Sequence, residues 1–279
     1  MGKLNPPKVS RFGVGIAEHG ARQDAMNPAA KLACLAILAA FMPSLSPAED
    51  RSRDAREIMR KIDALYRSDS SQARFEMEIV TPHWKRTLKI DAWSKGMDKT
   101  LLRILEPKKE AGMATLRIDD EMWNFLPRTS KVIKVPPSMM MGSWMGSDFT
   151  NDDLVKEYSF LEDYQFEIAG SDDPEPNQIV VQCIPRRDRP IVWGRVMVAV
   201  RENDYLPVWQ RYYDEKGKLM RELSFRDIKT FSGRTIPTVM ELRSAAREGS
   251  RTVIRYLDVR FDIELADDVF SLRNLRSGL

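Results

Sequence analysis

Histidine is nearly missing from this chain, with only His19 and His83 among 279 residues. His83 lies in a Thr-Pro-His-Trp turn, so a histidine-based triad would have to recruit it from an exposed loop. A multi-histidine metal site cannot be assembled within one chain. Cysteine is equally scarce, limited to Cys34 and Cys183. A Gly-x-Ser-x-Gly elbow and a phosphate loop are both lacking. No apolar run approaches the roughly 20 residues a membrane-spanning helix needs. The acidic pairs Asp119–Asp120 and Asp152–Asp153 fall at expected turns or helix starts, where Asp serves local hydrogen bonding. With these constellations lacking, the chain reads as non-enzymatic and without a cofactor.

The first residues carry a different signal. Met1 to Ala25 mixes charges with four glycines and has no apolar period, so nothing in it is patterned to pack. Then come Met26, Lys31, an apolar run from Leu32 to Phe41, Pro43, and the small-residue site Ser46-Pro47-Ala48. This is the order of a secretory signal peptide, with translation expected to start at Met26 and cleavage expected near Ala48. Cys34 sits near the start of the apolar run, and Lys31 stands where a lipid-attachment motif needs Leu, so no lipid anchor is expected. Residues 1–48 are read as an extension plus signal peptide and residues 49–279 as one exported, periplasmic domain with a single core.

Export changes the charge balance. Lys3, Lys8, Arg11, Arg22 and Lys31 are lost with Glu18 and Asp24, so the formal charge of +3 disappears. A neutral domain argues against nucleic-acid binding, which draws on a basic field. Cys183 is left alone, in the apolar run QIVVQCI, as a buried inert thiol.

Asp50 to Arg67 predicts an amphipathic helix with Ile58, Ile62, Leu65 and Tyr66 on one face. After it the period falls to two: Phe75, Met77 and Ile79 alternate with Arg74, Glu76 and Glu78. Strand-like runs recur at 87–93, 100–105, 115–118, 122–126, 164–169, 178–184, 194–201, 206–213, 219–229, 235–243 and 251–261, separated by turn residues such as Asp214 to Gly217. Short links and about a dozen strands predict a sequential antiparallel sheet that must curl. The expected fold is therefore α+β: a strongly curved sheet, an incomplete β-barrel, with the N-terminal helix and a loop and helix lid over its concave face. A last helical turn at Asp267 to Phe270 is expected to pin Phe270 and Leu272 to an edge.

The lid is expected from Pro136 to Val155, PPSMMMGSWMGSDFTNDDLV. Met139, Met140, Met141, Trp144, Met145 and Phe149 are interrupted there by Gly142, Ser143, Gly146 and Ser147, which deny a helical or strand period and predict a pliable middle. Thr150 or Asn151 is positioned to cap a short helix, with Asp152 and Asp153 in its first turn. Adaptable Met side chains suit a lining for an apolar ligand. Expected ligand-binding residues are Met139, Met140, Trp144, Met145 and Phe149 from this stretch, joined by Trp93, Trp123 and Phe125 from the first half of the sheet. Thioether binding of Cu(I) is the weaker alternative, since no Cys or His accompanies the methionines.

The run from Pro127 to Val155, and SWMGSDFTNDDL within it, resembles the outer-membrane lipoprotein-sorting proteins of the LolA-like superfamily, over Arg53 to Leu275. The resemblance implies a curved, incomplete barrel whose apolar cavity takes lipid acyl chains. It also implies a carrier of lipid or lipoprotein between an inner-membrane donor and an outer-membrane acceptor. A non-enzymatic envelope sensor or adaptor, its interior filled by its own side chains, is the alternative.

Overall fold

A computed structural model describes residues 47–156, 160–169, 175–189 and 191–277. The expected translation start and the apolar run of the signal peptide lie outside the described residues. Helix α1 (Pro47–Tyr66) is followed by β1 (Ser70–Val80), β2 (Lys85–Lys95), β3 (Lys99–Glu106), β4 (Ala114–Ile118), β5 (Glu121–Leu126) and β6 (Lys131–Lys134). Two short helices, α2 (Asn151–Lys156) and α3 (Phe160–Asp163), lead into β7 (Tyr164–Ala169). The remaining strands are β8 (Gln178–Pro185), β9 (Arg195–Arg201), β10 (Pro207–Tyr213), β11 (Leu219–Phe231), β12 (Arg234–Ser244) and β13 (Arg251–Phe261). Helix α4 (Leu272–Ser277) closes the described chain.

The strands form one curved, unclosed antiparallel sheet of 13 strands in the order β6-β5-β4-β3-β2-β1-β13-β12-β11-β10-β9-β8-β7. Strands adjacent in sequence pair throughout, with one exception. Strands β6 and β7 stand at opposite free edges, and the opening between β6 and β7 is compensated by a ladder between β1 and β13. The Met-rich stretch is therefore the connection between the two edges of the sheet. Strand β6 was not expected: Lys-Val-Ile-Lys is short and mostly exposed, as an unmarked edge strand is.

Period-two alternation assigns each side chain to a face. One row of directly paired residues runs Val181–Val198–Gln210–Leu223–Leu242–Thr252–Ile79 from β8 to β1. At its β8 end the row lies under α1, whose Ala55, Ile58, Met59 and Ile62 pack on Phe166, Val181, Cys183, Val196 and Val198. At its β1 end Ile79 packs with Trp144. The helix and the Met-rich stretch thus cover two halves of one face, the inner face. Between them Phe225, Met240 and Ile254, paired in register, are half-buried.

The opposite face carries its own cover. Trp93, Leu101, Ala114, Leu116 and Phe125 pack under Val269, Phe270 and Leu275 of the C-terminal segment. The expected helical turn exists, as a 3₁₀ turn at Asp267–Phe270. Its anchors are Phe270 and Leu275, whereas Leu272 is exposed, because the helical path of α4 turns Leu275 rather than Leu272 inward.

Candidate functional site

The stretch from Val135 to Thr150, a strap between the sheet edges, is built without regular structure yet is closely bonded to itself. It makes 3₁₀ turns at Pro137–Met139 and Trp144–Gly146. Trp144 N donates to Phe149 O at 2.8 Å, Asn151 N to Gly142 O at 3.0 Å, and Asp152 N to Met140 O at 2.8 Å. The Asn151 side chain donates to Met139 O at 3.0 Å and to Gly142 O at 3.3 Å. Polar side chains thus replace the ladder bonds that glycine and serine interrupt. The middle of the stretch, expected to be pliable, is compactly hydrogen-bonded to itself. Its helix cap is as expected: Asp153 N donates to Thr150 Oγ1 at 3.1 Å, and Thr150 N donates back to Asp153 Oδ2 at 2.8 Å.

One side chain carries the strap into the interior. Trp144, 4% exposed, packs among Phe75, Met77, Ile79, Leu88, Ile90 and Ile104. Met145 and Leu154 pack on the same cluster. Met145 at φ 50° and Gly146 at φ 77° make the left-handed turn that drives the indole downward.

Polar contacts tie the rim. Arg247 Nη1 donates to Ser147 O at 2.6 Å and its Nη2 to Gly146 O at 3.2 Å. Asp148, its side chain fully buried, lies 3.2 Å from Arg247. Asp148 N donates to Thr252 Oγ1 at 2.9 Å, and that hydroxyl donates to Asp148 Oδ2 at 2.7 Å. Arg86 donates to Met145 O and, at 2.8 Å, to Glu110 Oε1. Beyond the strap, Arg221 pairs with Asp153 at 2.8 Å and lies over the rings of Trp193 and Tyr212 at 4.6 and 4.2 Å. Burial works against the Arg221 charge, but Tyr212 and Asp153 outweigh it and raise its pKa.

Among the described residues, seven buried side-chain atoms lack a hydrogen-bond partner, and four of them belong to these ties: Arg86 Nε, Glu110 Oε2, Asp148 Oδ1 and Arg221 Nε. The Asp148 oxygen still has its charge contact with Arg247, without hydrogen-bond alignment. Such atoms cost stability while shielded, so the closed strap is held by ties that are incompletely satisfied. Beside it opens a cleft of about 280 Å³ lined by Trp84, Arg86, Leu88, Glu110, Met113 and Met145.

The expected site residues divide. Trp144 and Met145 meet on the inner face, with Met140 and Phe149 half-buried in the strap. Met139 is 59% exposed and turns away from the interior. Trp93 and Phe125 belong to the cluster on the opposite face, with Trp123 packed against it. Pairing explains the division. Trp93, Leu101, Leu116 and Trp123 form one register row, while Ile90, three residues before Trp93 in β2, is in the Trp144 cluster. Of the strap methionines, Met139 and Met141 are exposed and Met140 and Met145 half-buried. Sequence reading missed Arg86, Glu110, Arg247 and Thr252, which lie on other strands or turns and have no motif.

An unclosed antiparallel sheet with a helix and a strap on one face is the LolA-like half-barrel fold. A family model described as uncharacterized protein-like matches residues 96–277, and the chain belongs to that family. A crystal structure of a DUF1329 family protein from Desulfovibrio piger is 25% identical with TM-score 0.72, covering 81% of this chain and 99% of that one. An outer membrane lipoprotein-sorting protein domain from Vibrio parahaemolyticus is 23% identical with TM-score 0.69, covering 81% and 99%. A LolA superfamily protein from Nitrosomonas europaea is 22% identical with TM-score 0.65, covering 78% and 98%. No curated protein matches the sequence.

Proposed function

We propose that this protein is a non-enzymatic periplasmic carrier that holds lipid acyl chains, free or attached to lipoprotein, against the inner face of its half-barrel beneath the strap. The observation that carries this reading is the inner face itself. Its apolar floor runs from Ile90 and Met77 through Ile254, Met240 and Phe225, and at the β1 end is roofed by the side chains of a strap tied at its rim. Each buried CH₂ contributes about 0.8 kcal/mol, so a chain of about 16 carbons offers on the order of 12 kcal/mol gross. A chain seated there would replace the packing of Trp144 and Met145 on the floor.

In the closed form the cleft of about 280 Å³ lies at the foot of the range of about 300–1,000 Å³ typical of small-molecule sites. Cargo therefore enters by lifting the strap. The names of the similar structures, outer membrane lipoprotein-sorting and LolA superfamily, support a role in carrying lipoprotein toward the outer membrane, with an inner-membrane donor and an outer-membrane acceptor as the partners this reading requires. Protein purified without detergent should release acyl lipids on organic extraction, seen by mass spectrometry, and a chain lacking them even after incubation with lipid vesicles would overturn the reading. The second reading, an envelope adaptor acting through protein contacts, is favoured by one observation: Trp144 already occupies the part of the inner face beneath the strap. The same extraction separates the two.

A further inference from the structure

The acyl reading leaves the charged wall of the cleft unused. Arg86 and Glu110 face each other there at 2.8 Å, each with a shielded atom, Nε and Oε2, that has no hydrogen-bond partner among the described residues. Around them Leu88, Met113 and Met145 are apolar, and Trp84 lies beside the guanidinium at 5.5 Å. Leu88 and Met113 also belong to the inner-face cluster, so the cleft, with its charge pair, borders the packing beneath the strap. Its lip is the left-handed turn at Met145 and Gly146, where the Met145 carbonyl is held by Arg86.

We infer that this cleft is a headgroup subsite for an amphiphile whose polar end carries both a phosphate and an amine, as in an aminophospholipid. The inference rests on the acyl-carrier reading and adds the headgroup class. Lifting the lip frees Arg86 from Met145 O and exposes the two unpaired atoms together. A phosphate ester accepts from Arg86, using Nε and a terminal nitrogen as a fork. An ammonium donates to Glu110. A purely anionic head would meet the Glu110 charge, and a neutral head would leave both ions without new partners; a zwitterion keeps the pair neutral and satisfies both ends. The tails then pass Leu88 and Met113 into the space Met145 vacates.

Isothermal titration of the whole exported domain with three soluble lipids tests this: dihexanoyl phosphatidylethanolamine, dihexanoyl phosphatidylglycerol and dihexanoylglycerol. The ethanolamine lipid should bind about tenfold more tightly than the glycerol phospholipid, the difference expected from one added charge-assisted contact, and more tightly still than dihexanoylglycerol, which lacks both contacts. Glu110→Gln should erase the margin over the glycerol phospholipid. Met113→Trp, which fills the cleft without touching the ions, should erase both margins, while Lys134→Gln, outside the cleft, should keep them. If dihexanoylglycerol binds and the headgroup makes no difference, the subsite is overturned and the acyl reading stands. A margin that survives both cleft variants also overturns it. If none of the three lipids binds, the carrier reading falls and the subsite with it.

Discussion

Trp144 donates its indole N–H to Thr115 Oγ1 at 3.1 Å, and the Thr115 hydroxyl in turn donates to Asn124 Oδ1 at 2.7 Å. The buried indole of the strap is thus joined to the sheet by packing and by a short polar relay across β4 and β5. Removing the N–H while keeping an aromatic ring retains most of the packing. Trp144→Phe should cost about 1 kcal/mol for the lost hydrogen bond, since Thr115 keeps its bond to Asn124, and a further amount for the space the smaller ring leaves. Trp144→Ala should cost about 3–5 kcal/mol as a large buried side chain is lost. Urea unfolding checks both, and equal losses would show that packing around Trp144 contributes little.

Arg247 and Asp148 form the second tie. Arg247→Met strands the buried Asp148 carboxylate and should destabilise the protein. The loss should fall below the about 3–5 kcal/mol typical of breaking fully buried pairs, since the Arg247 side chain is 33% exposed. Adding Asp148→Asn to Arg247→Met should restore much of that loss, because the stranded charge is gone. Additive losses in the double variant would contradict the pairing. Hydrogen exchange at residues 142–150 should speed up in Arg247→Met.

Glu241 lies on the opposite face, in contact with Arg226 and Arg243 at 2.7 and 2.6 Å. Partial burial pushes its carboxyl upward, but the two guanidinium contacts outweigh this and hold it below the usual Glu range. A carboxyl depressed in the folded state adds stability that is present above its unfolded pKa, about 4.3, and is lost as pH falls through the folded value. Glu241→Gln should therefore flatten the fall in stability below about pH 4 relative to wild type, with urea midpoints read across the acid range. Parallel acid curves would remove Glu241 from the balance.

Cys183 is fully buried under α1. Burial pushes its thiol well above the ordinary range. The folded protein should resist iodoacetamide at about pH 8, where an ordinary thiol of pKa about 8.5 reacts readily, and should be alkylated once in urea. The sign for stability follows: the contribution is intact below the unfolded pKa and declines as pH rises above it, where only the unfolded chain ionises. Prompt alkylation of the native protein would mean that α1 opens readily over β8.

Much of this architecture is legible along the chain. Alternation at Phe75, Met77 and Ile79 marks β1, Asp214 to Gly217 closes a hairpin, and Thr150 with Asp153 announces α2. The roles of individual aromatics are less legible, because a period of two separates the faces of a strand without saying which face meets which cover. Trp93 and Ile90 alternate correctly within β2, yet only the paired rows show that Trp93 lies under Phe270 and Ile90 near Trp144. The strap shows a related limit. Its glycines and serines break every period, and the bonds that stiffen it come from Asn151 and from arginines as distant in sequence as Arg247.

The β1–β13 ladder has one more consequence. Because those strands meet in the middle of the sheet, the chain before the strap and the chain after it are two half-sheets zipped together along β1 and β13. A single proteolytic nick between Met139 and Met141, in a turn that already faces solvent, would sever the covalent link while every hydrogen-bonded strand pair stayed in place. The roof of this molecule can be cut without parting its walls.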